Sequence, residues 1–123
     1  MFRTLGVVAP LIARLTAEVG AWEGVRVRPH ERGGTECAFG KGEIGHVHSD
    51  GTLDVPFPKR VRDDLLAVGE AKVHRWVPDS GWVTYSVRGE HDVPHAVALL
   101  RRSYDLRLAA KAAHVERQER RSA

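Results

Sequence analysis

The stretch from Glu43 to Pro58, EIGHVHSDGTLDVPFP, constrains this chain more than any other. Its Asp50-Gly51 pair, set between two alternating runs, is a strong signal for a tight hairpin turn. The run before the turn puts His46 and His48 on one side of a strand, because successive side chains alternate across a sheet. The returning run sends Leu53 and Val55 to one side and Asp54 to the other. Pro56 and Pro58 then break the sheet and open a helix. A paired hairpin of this kind needs further strands and an apolar cover, so the rest of the chain must supply both.

The flanking sequence supplies them. Leu5, Val8, Leu11, Ile12, Leu15 and Val19 recur at helical spacing, and Gly20 is a fitting stop. Pro10 belongs in a first turn, which predicts a helix starting near Ala9. Trp22 is expected to pack where this helix hands over to the sheet. Val25–Arg28 alternates, Thr35–Gly40 and Glu43–His48 read as the next strands, and Leu53–Val55 as a fourth. After Pro58, Val61, Leu65 and Val68 share a helical face that Gly69 closes. Val73–Val77 and Trp82–Arg88 read as strands around a Pro78–Gly81 turn. Asp92 and Pro94 open a last helix with Val93, Val97, Leu100, Tyr104 and Leu108 as its stripe. Short strands joined by tight turns predict an α+β fold: an antiparallel sheet with helices packed on one face, a two-layer sandwich.

At 123 residues the chain suits one domain, expected over residues 1–113, with a basic, frayed tail at 114–123. From Arg101 onward seven Lys/Arg face three acids, a net +4 against −1 for residues 1–100, so the excess basic charge lies in the C-terminal segment. A basic helix end suits the helix dipole and offers a nucleic acid an electrostatic contact. One cysteine, Cys37, forms no internal disulfide and sits in an apolar run, as a packed thiol would. No apolar run approaches the ~20 residues that span a bilayer, and the N-terminal stretch reads as a helix of the domain. A cytoplasmic protein without a membrane partner is expected.

Sorting each strand by parity gives two faces. Val47, Leu53, Val55, Val73, Val77, Val83, Tyr85 and Val87 form an aliphatic one. His46, His48, Asp54, His74, Trp76, Trp82, Thr84 and Ser86 form the other. Imidazoles between aromatic walls suit a pocket for a flat organic ligand. Histidine titrates near neutrality and is the commonest general base. Glu43 or Asp50 can set its tautomer. His46 and His48 share a strand side and can also share a metal with Asp50, Asp54, Glu43 or His74. The Gly40-to-His46/His48 spacing half-matches a cupin, and His-x-His half-matches a metallo-hydrolase. His30, His91, His95 and His114 read as turn or surface histidines. No Gly-x-Ser-x-Gly elbow or phosphate-binding loop is present.

Residues 43–54 resemble the domain family named after fungal luciferase. The likeness continues through Pro56-Phe57-Pro58, Val73-His74, Ser80–Tyr85 and Leu100–Tyr104. It implies a bacterial stand-alone luciferase-like domain. The fungal enzymes are oxygenases that oxidise a hydroxylated styrylpyrone with O2, with no known metal or organic cofactor, and emit light. Carried over, Glu43, His46, His48 and His74 are the expected catalytic residues. His46 or His48 would be the base, and His74 would polarise a substrate oxygen. Asp50, Trp76, Trp82 and Thr84 are expected to contact a small aromatic or enolic ligand. The fungal run after the histidine pair is longer, and the fungal histidine near Ala38 is absent here. A second likeness, to small frataxin-like domains of the double-wing type, rests on the Trp-led strand and on Ser103-Tyr104. It implies a non-catalytic DNA-binding module as the alternative, and a His-x-His metal enzyme is the third reading.

Overall fold

The computed structural model describes residues 2–122, with side chains from residue 7 onward. Leu5, at the head of the expected first stripe, lies outside the described side chains, as do Met1 and Ala123. The elements are α1 (Phe2–Gly20), β1 (Val25–Pro29), β2 (Thr35–Phe39), β3 (Gly42–Val47), β4 (Thr52–Pro56), α2 (Lys59–Ala67), β5 (Lys72–Val73), β6 (Trp82–Ser86) and α3 (Asp92–Ser122). The six strands form one antiparallel sheet in the order β1-β2-β3-β4-β6-β5. This is the α+β architecture that the strand spacing predicts.

α1 and α3 pack against each other and on one face of the sheet. Leu11, Leu15 and Val19 of α1 meet Ile44, Val47, Leu53, Val55 and Val83 of the strands in the core. Ala96, Leu99, Leu100 and Tyr104 of α3 join them, as do Val61 and Leu65 of α2. Gly45 sets how closely α3 approaches: a Cβ there would lie 2.4 Å from Leu100 Cδ2. Trp22 tilts against Tyr104 at 5.3 Å, and the Tyr104 hydroxyl donates to the Glu23 carbonyl, closing the corner between α1 and β1.

The opposite face of the sheet holds the histidines. A β-bulge places a residue there that parity alone would send to the other face. Cys37 pairs with Gly45 and Ala38 with Glu43, so Ile44 has no partner on β2. Ile44 is buried in the core and Gly45 faces Leu100, so both point to the helices. Glu43 is thereby turned onto the same face as His46, three residues along.

Five details differ from the sequence reading, one being Leu108, which ends the expected α3 stripe but is exposed. α1 starts at Phe2 rather than near Ala9, with Pro10 inside it on an exposed surface. β5 holds only Lys72–Val73, because the chain leaves the sheet at His74, whose Nδ1 accepts the N–H groups of Trp76 and Val77. Val73, paired with Val83, lies on the aliphatic face but is exposed at the open edge of the sheet, while Val77 leaves that face and lines the histidine side. Val68 is exposed too: it caps α2, and Gly69 follows with φ of 74°. Asp92 begins α3, but its carboxylate reaches backward to accept from the Arg88 and Gly89 N–H groups and the Tyr85 hydroxyl.

Candidate active site

Asp54 stands at the centre of the histidine face. It lies in β4 between two core residues, Leu53 and Val55, and alternation turns it away from them. Register then brings its neighbours: His46 pairs with it from β3 and Thr84 from β6. The residue is buried, at 3 % exposure. Its Oδ1 accepts the Thr84 hydroxyl at 2.7 Å. Its Oδ2 lies 2.8 Å from His48 Nε2, 3.2 Å from His46 Nε2 and 3.5 Å from His74 Nε2. Three imidazoles thus converge on one carboxylate oxygen.

The three rings are not equivalent. His46 lies between two carboxylates, with Nδ1 2.5 Å from Glu43 Oε1 and Nε2 facing Asp54. Burial works to lower its pKa, yet the bonds to Asp54 and Glu43 outweigh burial and raise it to about 9. At neutral pH it is an imidazolium with both N–H groups committed, so it is a poor base. Burial also works against the Asp54 anion, but the His46, Thr84 and His48 bonds hold its pKa well below the usual carboxylate range.

His74 is fixed by its backbone. The Trp76 and Val77 N–H groups donate to its Nδ1 at 3.2 and 3.3 Å, which assigns its proton to Nε2, facing Asp54. His48 is the open member. The ionised Asp54 only accepts, so in the neutral ring the 2.8 Å bond puts the His48 proton on Nε2 and the lone pair on Nδ1. No hydrogen bond reaches that Nδ1 among the described residues, and no buried polar side-chain atom there lacks a partner. The His48 Nδ1 lone pair is therefore open to solvent.

A cavity of about 660 Å³ lies over this cluster, within the range of small-molecule sites. The Trp82 ring stands 5.3 Å from His46 and 6.2 Å from His74, and the Trp76 ring 5.9 Å from His74. Trp76 is 63 % exposed, unusual for a tryptophan that serves only packing. Of the expected residues, Glu43, His46, His48, His74, Trp76 and Trp82 all line this cavity. Thr84 and Asp50 line an adjoining one instead. The Thr84 hydroxyl is spent on Asp54, and the Asp50 carboxylate accepts the Thr52 N–H within the turn.

Two members have a different role from the one the sequence suggests. Asp54 is offered there only as one possible metal ligand on the histidine face, and it is instead the hub of the cluster. His30 corrects its reading as a turn or surface histidine. It lines the cavity, stacks on His46 at 4.2 Å, and holds Nε2 3.7 Å from Glu43 Oε2. Only the β1–β2 hairpin brings it there. Cys37 is buried, and burial, with Glu43 and Glu36 nearby, pushes its thiol up to about 12, which rules it out as a ready nucleophile.

No curated protein and no solved structure matches the chain at a significant level. A family model described as Luciferase domain matches residues 41–103. The matched segment runs from the start of β3 into α3 and contains Glu43, His46, His48, Asp54, His74, Trp76, Trp82 and Thr84. It covers just over half of the chain and includes the whole Asp54-centred cluster apart from His30, so the chain belongs to the Luciferase domain family.

Proposed function

We propose that this chain is an oxygenase that binds a flat enolic or phenolic molecule against Trp82 and Trp76, with His48 as general base. The observation that carries the reading is the His48–Asp54 pair opening onto an aromatic-walled cavity. Asp54 holds the His48 tautomer, so Nδ1 takes the acidic proton. The His46 imidazolium stabilises the new anion through space, and His74 is placed to orient a substrate oxygen. The electron-rich anion passes one electron to O2, the two radicals join through a C–O bond, and His48 returns its proton to the resulting peroxide anion, giving a hydroperoxide. Membership of the Luciferase domain family supports O2 as the oxidant.

Oxygen uptake with a series of hydroxylated 2-pyrones tests this. Uptake is expected with the native protein. It should fall at least ~100-fold in His48→Ala with the fold intact. Full activity in that variant would sink the assignment of the base.

A second reading rests on the same atoms. His46, His48 and Asp54 place their ligand atoms within 4.8 Å of one another, as do His30, Glu43 and His46. Two histidines and a carboxylate form a known ligand set for non-haem iron, and an outer carboxylate on a ligand histidine is a common second partner. Metal content of untagged protein, with His48→Ala as control, separates the readings. A stoichiometric ion lost in the variant makes His46 and His48 ligands; metal-free protein that still takes up oxygen supports the base.

A further inference from the structure

The histidine cluster is walled on two sides. A second cavity, of about 370 Å³, shares His48, Asp54, His74 and Trp76 with the first. Its chemistry is different. Trp82 lines only the first cavity, whereas the second adds Thr52, Thr84 and Ser86 with Lys72 and Arg75 at its edge.

The floor is built on strands. Thr52 pairs with Ser86, and Lys72 pairs with Thr84, so these four side chains spring from neighbouring rungs of β4, β6 and β5. All four line the second cavity, together with Arg75. Arg75 is held by stacking: its guanidinium carbon lies 4.2 Å from the centre of the Trp76 ring. The two acids in this cavity are already engaged, Asp50 by the Thr52 N–H and Asp54 by His48 and Thr84. The two cations are not: among the described residues, no carboxylate lies within ion-pair distance of Lys72 or Arg75. The Thr84 hydroxyl is spent on Asp54, but two uncommitted cations beside Ser86, at the edge of a cavity that continues into an aromatic one, are the complement of an anionic group carried by an aromatic molecule.

We propose that the second cavity is a substrate subsite for a carboxylate. The natural ligand is then a hydroxylated aromatic or enolic acid whose ring occupies the first cavity and whose acidic arm passes Trp76 to reach Lys72 and Arg75. This deepens the proposed function and rests on its placing of the ring in the first cavity.

Binding is read without turnover. 4-Hydroxyphenylpropanoate and its methyl ester are titrated under nitrogen, following tryptophan fluorescence. The acid is expected to bind at least ~10-fold tighter than the ester, with the preference shrinking as salt is added. In a Lys72→Gln/Arg75→Gln double variant the preference should fall to ~2-fold or less. Both residues are exposed, so the fold should tolerate the change, and circular dichroism checks that it does. Trp82→Leu should weaken acid and ester alike. Equal binding of acid and ester, a preference that survives the double variant, or no binding of the acid overturns the subsite. Failure of the oxygenase reading is separate: it appears as absent oxygen uptake while the acid preference persists.

Discussion

Asp54 binds the site together because its two oxygens do different work. Oδ1 takes the Thr84 hydroxyl, while Oδ2 faces three imidazoles. Asp54→Asn keeps the size but places a neutral amide there. Its N–H2 would face imidazole nitrogens that now donate, so His48 loses its imposed tautomer and His46 one of its two counter-charges. Turnover is expected to drop ~100-fold or more, with a clear loss of thermal stability at neutral pH; an Asn variant as active as the native protein would remove Asp54 from the mechanism. The pH dependence of stability isolates His46. Its folded pKa of about 9 lies above the unperturbed 6.5, so its contribution is fully present below 6.5 and is lost as pH rises through about 9. Asp54 runs the other way: its depressed pKa gives stability above the unperturbed 3.8 that is lost as pH falls further. In chelator-treated protein, thermal midpoints should decline between pH 6.5 and 9 in the native chain, and this decline should be absent from His46→Gln. An equal decline in both would place the titrating group elsewhere.

At the scale of elements, the decisive features are the bulge in β3 and the glycine beside it. Alternation alone separates His46, His48, Asp54 and Thr84 from Leu53, Val55 and Val83, which is why most of the site was legible in the sequence. The same rule would send Glu43 to the helix face with Val47. The unpartnered Ile44 reverses that, and pairing between β2 and β3 decides it, not any residue pattern within β3. His30 was illegible for a similar reason, since it reaches His46 only through the β1–β2 hairpin. The short β5 is set by the His74 side chain capturing the Trp76 and Val77 N–H groups, a local bond that competes with the strand ladder. Gly45 follows the bulge and lies under Leu100. Gly45→Ala would press a methyl group into a buried leucine and the Asp54 carbonyl, 2.4 and 3.1 Å away. A loss of about 1–3 kcal/mol is expected from overpacking, read from the denaturant midpoint. An unchanged midpoint would show that α3 can lift from the sheet without cost.

At the scale of the molecule, α3 is longer than the domain it serves. Its last buried side chains are Ser103 and Tyr104, yet the helix runs on to Ser122. Lys111 still reaches back, with its ammonium 5.8 Å from the Phe39 ring, but side chains from His114 to Ser122 are all exposed. The apolar pattern in the sequence fades near Ala113, where burial has also ended, although the helix continues. Helices that project without a packed face gain little from tertiary contact, so this segment rests on propensity and on i,i+4 pairs such as Glu116 with Arg120. Such pairs contribute only ~0.2–0.5 kcal/mol each. Ending the chain at Ala113 should therefore leave the thermal midpoint within ~2 °C and spare ligand binding on the far face of the sheet, while the helical signal drops by roughly ten residues. A large fall in midpoint that grows with dilution would mean that the projecting helix is covered by a second copy. A salt-sensitive loss of DNA binding in the truncated chain would instead assign the basic helix end to a nucleic acid. With neither effect, the projection is a solvated extension and the functional surface is confined to the two cavities around Asp54.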